Sequence, residues 1–156
     1  MREIVDGGES ESLRGVLPQL WEKVRRAGGG GRVTTTLPSG QHQGTYYTVA
    51  LAGSAYFRST QVQCPHCLRQ PDPQGRGHYA HKIVGATGGR AGSRQVVPIA
   101  VEEVRNATAA SAPQDCELTA GKRRLARLRQ EHPQMALIVG GAELYSHVPF
   151  VEQRQQ

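Results

Sequence analysis

The sequence contains no apolar run approaching the roughly 18 consecutive residues that a membrane-spanning helix needs. Its first residues, Met1-Arg2-Glu3-Ile4-Val5-Asp6, contain no apolar stretch of signal-peptide length. A cytoplasmic protein without membrane contact is expected. Large apolar side chains are also scarce: the 156 residues include two phenylalanines and one tryptophan but nineteen glycines. A chain of this length is expected to form one compact domain with a thin core. Cysteine is present three times. An odd number in a chain with no export signal argues against a disulfide framework and raises a thiol or metal role instead.

Several catalytic signatures are missing. No Gly-x-Gly-x-x-Gly occurs, and no Gly-x-Ser-x-Gly elbow occurs. Gly121-Lys122 lacks the glycine that a phosphate-binding loop needs five positions earlier, because residue 116 is Cys. Nucleotide hydrolysis and serine-hydrolase chemistry therefore have no support. Acidic residues are outnumbered 13 to 19, for a net charge of +6. Sixteen of the nineteen cations are arginine, whose planar fork matches phosphate. A GC-rich genome yields the same composition, so charge leaves both explanations open.

Along the chain, Leu13, Val16, Leu17, Leu20, Trp21 and Val24 recur at helical spacing within residues 10–27, ahead of the glycine run 28–31. Pro18 must kink this helix or start a second one. Residues 46–63 turn to Tyr, Val, Thr and Phe, and Ala52-Gly53-Ser54 reads as the turn of a hairpin. Residues 70–77 read as loop, 78–86 and 95–104 as strands, and 106–114 as loop. Asp115 can cap a helix running to about residue 131, with Glu117 in its first turn. Residues 135–139 form a short strand, and 148–155 begin a further helix. This order predicts an α/β protein, with α+β as the alternative: a mixed sheet covered by helices. Residues 1–43 are expected as a helical segment and linker, and 44–156 as the core.

Cys64-Pro65-His66-Cys67 is a Cys-x-x-Cys after a strand, and His78-Tyr79-Ala80-His81 follows ten residues later, with Cys116 beyond. Soft and borderline ligands of this kind hold Zn²⁺ tetrahedrally. The spacing does not fit a DNA-reading zinc finger. Flanks of strand and loop do not suit a thioredoxin-like pair, which needs a helix N-terminus. Free thiols and surface histidines are the plainer alternative. Side chains alternate along a strand, so only one of His78 and His81 joins the cysteine pair readily. The expected set is Cys64, Cys67, His81 and Cys116, with His78 as the alternative ligand. On the following helix Lys122, Arg123, Arg124, Arg127 and Arg129 form a basic run that could lie along a DNA backbone; an ordinary solvated face is the competing explanation.

Taken in order, several pieces resemble bacterial insertion-sequence transposases of family four. They are Met1 to Asp6 with Glu11-Ser12-Leu13-Arg14, the stretch 46–60, Cys64-Pro65-His66-Cys67-Leu68, His78-Tyr79-Ala80-His81, Gln114-Asp115-Cys116-Glu117, and Leu144-Tyr145-Ser146-His147-Val148-Pro149-Phe150. The resemblance runs nearly end to end and covers the middle portion of longer family members. It implies an incomplete RNase H-like fold, DNA as partner, and three carboxylates holding two Mg²⁺ ions for strand cleavage and transfer. Where the family has its first Asp, at the end of a strand before a Gly-Ser turn, this chain has Ala52. Where the second stands, it has Ala142 followed by Glu143, one residue out of register. The third would lie beyond Gln156. A catalytically inactive transposase remnant with residual DNA affinity is the leading expectation. An active transposase subunit and a zinc-stabilised binding module are the alternatives.

Overall fold

The computed structural model describes residues 15–71, 74–106 and 114–141. They form a mixed α/β structure. The N-terminal pieces of the resemblance, the helix expected at 148–155, and the positions Ala142 and Glu143 lie outside the described residues.

Helix α1 spans Val16–Arg26. Pro18 sits in its first turn, where its missing N–H has no intrahelical acceptor to lose, so it starts the helix instead of kinking it. Lys23, Arg25 and Arg26 occupy the last turn, where the helix dipole favours cations. The helix ends at Gly28, whose φ of 80° is a left-handed conformation that suits glycine. A 3₁₀ turn, Gly29–Val33, leads into strand β1, Thr34–Leu37. Residues expected as linker thus join the sheet.

Strand β2, Gly44–Ser59, is a single sixteen-residue strand. The hairpin expected at Ala52-Gly53-Ser54 is not formed: these residues pair in unbroken register with Gly85, Val84 and Ile83 of β4. Gly53 leaves room for the Glu117 carboxylate, which a Cβ there would displace, and makes no turn. Ala52 accordingly lies inside the strand and not at its end. Strand β3, Leu68–Pro71, takes up part of the expected 70–77 loop because it pairs with β4. Strands β4, Gly77–Gly89, and β5, Val96–Val104, are antiparallel neighbours. Helix α2 spans Glu117–Glu131, and strand β6, Leu137–Gly141, follows it. The N-cap of α2 is Cys116, not Asp115, whose carboxylate instead accepts hydrogen bonds from the N–H groups of Arg105 and Cys116 and from Arg123.

The six described strands form one sheet built on the long antiparallel pair β2 and β4. Strand β6 runs parallel to β2 on the edge opposite β4, with Tyr47↔Leu137 through Leu51↔Gly141 in register. Ala80, Val84, Ala86 and Gly88 of β4 are buried at alternate positions, the period of a strand with one covered face. Helix α2 packs on β4 and β5, and α1 packs on β5. Trp21 of α1 is fully buried, edge-on to Tyr47 of β2 with ring centroids 5.8 Å apart. It shares one core with Val49, Leu51, Ile99, Leu125 and Leu128.

Candidate metal centre

The Cys64-Pro65-His66-Cys67 segment connects β2 to β3, and His81 lies on β4. The two meet. Cys64 Sγ is 3.3 Å and Cys67 Sγ 3.2 Å from His81 Nε2, and the two sulfurs are 3.4 Å apart. A tetrahedral zinc with Zn–S near 2.3 Å separates two sulfurs by roughly 3.8 Å, so a few tenths of an ångström of opening would admit the ion. Among the described residues these three donors form a group that could hold a metal ion, all within 4.8 Å of one another. Cys₂His is a donor set suited to zinc.

The loop is held in place by residues that the motif does not reveal. The Cys64 N–H donates to Cys67 Sγ at 3.1 Å. Asn106, just past β5, donates from Nδ2 to the Cys67 carbonyl at 2.8 Å. Its own carbonyl lies 3.0 Å from His66 Nδ1, and its Oδ1 accepts the Asp115 N–H. One asparagine therefore ties the cysteine loop to the start of α2. Gln114 adds a second tie, accepting the Arg69 N–H and donating to the Arg69 carbonyl of β3. Asn106 was legible only as loop, because its partners come from segments distant in sequence.

A bulge in β2 shapes the histidine side. Between Ala55 and Phe57 the register with β4 slips by one residue, so Tyr56 and Phe57 together oppose His81. Tyr56 stacks on the imidazole at 5.8 Å with an interplanar angle of 28°, and Phe57 lies at 5.6 Å. The Tyr56 hydroxyl donates to Glu103 at 3.4 Å. Burial, followed by the Glu103 carboxylate, raises the Tyr56 hydroxyl above its ordinary range. Burial likewise pushes the Cys67 thiol up.

The structure does not bring Cys116 into this group. Its thiol lies 3.3 Å from Thr119 Oγ1 at the N-terminus of α2. The reason is strand parity: Lys82 points to α2, where its ammonium donates to Glu117 at 2.9 Å, so the adjacent His81 faces away from that helix. His78 is not in the group either, and its Nε2 is buried with no hydrogen-bond partner among the described residues.

The basic run on α2 is not a free cationic face. Glu102 of β5, 2% exposed, accepts from Arg123 at 3.3 Å and from Arg127 at 2.8 Å. Arg123 also pairs with Asp115 at 2.8 Å. Arg124 is 2% exposed and pairs with Glu131. Arg129 donates to the Met135 carbonyl, and Lys122 is also engaged. Arg123 is held above its ordinary pKa, first by its hydrogen bond to Asp115. Sequence spacing alone could not show that β5 supplies a buried glutamate opposite the run.

A cleft lined by Arg25, Tyr47, Glu131, His132 and Met135 lies near the other end of β2. Its charges are already matched, Arg25 by Glu22 and Glu131 by Arg124. No helix among the described residues is long and apolar enough to cross a membrane. No protein-family model, no curated protein and no solved structure matches the chain.

Proposed function

We propose that this chain is a zinc-stabilised scaffold in which Cys64, Cys67 and His81 bind the ion and clamp the β2–β3 connection onto β4. The observation that carries the reading is the convergence of three zinc-type donors, from a loop and a strand, around one point. Such a clamp matters most where the core is thin, because metal binding contributes directly to folding. Protein purified without chelator should contain close to one zinc per chain, and Cys64→Ser or His81→Ala should lose it. Metal-free protein melting at the same temperature as the loaded form would sink the proposal.

A second reading, descent from an insertion-sequence transposase, is favoured by a separate observation. The two positions where the family has its first and second Asp must stand side by side to share metal ions. The parallel register of β2 and β6 brings Leu51 beside Gly141, so the strand that carries Ala52 neighbours the strand that leads to Ala142, which itself lies outside the described residues. Neither alanine offers an oxygen ligand to Mg²⁺. On this reading the chain is an inactive remnant, and no strand cleavage is expected with Mg²⁺ or Mn²⁺ on terminal-repeat DNA. Metal-dependent nicking that disappears in Glu143→Ala would overturn the remnant reading and favour an active transposase subunit.

A further inference from the structure

We infer that the metal bound by Cys64, Cys67 and His81 keeps an exchangeable fourth position open to solvent, which a small anion or thiolate can occupy. This rests on the zinc reading above and extends it from a clamp to a ligand-binding centre.

Zinc in a purely structural role takes four protein ligands, whereas sites with three keep a position for water or an incoming ligand. Three is the number found here: no fourth His, Cys, Asp or Glu among the described residues shares the group's mutual distances. Two other candidate ligands are otherwise engaged. His66 Nδ1 faces the Asn106 carbonyl at 3.0 Å, and Cys116 Sγ faces Thr119. The group is also asymmetric in its surroundings. Cys67 is buried, while Cys64 is exposed and Tyr56, stacked over His81, is 59% exposed. Cys64 and Tyr56 therefore give solvent a route to the group.

The charge of the donor set indicates what can bind. Two thiolates cancel the dication and neutral imidazole adds nothing, so a water at rest can give way to one monoanion without a large accumulation of charge. A soft ligand suits a centre already rich in sulfur. With a thiol, the zinc–water bond breaks, a zinc–sulfur bond forms, and the S–H proton passes to solvent. No oxidant or reductant is involved.

The test uses the full chain loaded with Co²⁺, with azide as the probe. The visible spectrum should show thiolate-to-cobalt absorption, and azide should shift the cobalt bands saturably with one azide per metal. Cys116→Ser and His147→Ala should show the same shift. A spectrum indifferent to azide would overturn the inference, since the fourth position would then be closed by a protein side chain. Sensitivity that appears only in one of the two variants would overturn it too and would name the closing residue. Bleaching with release of cobalt also counts against it. Absence of any thiolate-to-cobalt absorption in the untreated protein is a different failure, that of the zinc reading itself.

Discussion

Burial pushes the Cys116 thiol up, but the hydroxyl and N–H of Thr119 and the N–H of Leu118 outweigh it and leave the thiol below its ordinary value. Cys67 is shifted the other way, upward by burial. Since the thiolate is the nucleophile, iodoacetamide should label Cys116 first in the zinc-loaded protein and leave Cys64 and Cys67 protected. Chelation should then expose Cys64, the more accessible of the pair. Peptide mass spectrometry reads all three sites at once, and protection of Cys116 by zinc would return it to the ligand set. The Cys-x-x-Cys and His81 were legible from residue type and spacing. The exclusion of Cys116 was not, because it depends on which face of β4 the helix covers.

At the scale of elements, Glu102 is the residue on which α2 and β5 depend. It is buried between Arg123 and Arg127. Losing its carboxylate removes charge-assisted hydrogen bonds to two arginines that are 35% and 37% exposed, which costs about 1.5–3 kcal/mol. Glu102→Ala should lower the urea midpoint by a corresponding amount at constant slope, and an unchanged midpoint would show the network to be idle. Helix α1 provides a gentler case. Hydrogen bonds from Arg25 and then Arg26 hold the Glu22 carboxyl at about 2, below its ordinary 4.5. Its contribution is therefore present above pH 4.5 and is lost as pH falls through about 2, and an NMR titration of the Glu22 carboxyl should show that low midpoint. Helical periodicity made α1 and α2 legible, and β4 and β5 were marked out by the loop-forming stretches that flank them. Strand β2 was misread because Gly53 was taken as a turn residue when it makes room for Glu117. Strand β3 is rich in polar residues and Pro, and its pairing with β4 overrides that local signal.

For the whole molecule, the surplus of arginine acts as a diffuse field, because the densest basic run is largely consumed by internal pairing. With a net charge of +6, any DNA affinity should be independent of sequence. Log K should fall with log[salt] at a slope of about −0.9 for each phosphate neutralised. Fluorescence anisotropy at several salt concentrations checks this, and a preference for one sequence that survives high salt would contradict it. The parallel pairing of β2 with β6 has a consequence for assembly in time. Tyr47 must meet Leu137, a partner separated from it by more than half of the chain, and the loop-closure entropy of such a contact is spent before its hydrogen bonds are gained. During synthesis the antiparallel hairpins can form as they emerge, but on the edge away from β4 the Tyr47–Leu51 stretch of β2 has to wait for the ribosome to deliver β6. A nascent chain stalled before residue 137 should therefore be cleaved by a limiting protease within β2, and one stalled well past residue 141 should resist it.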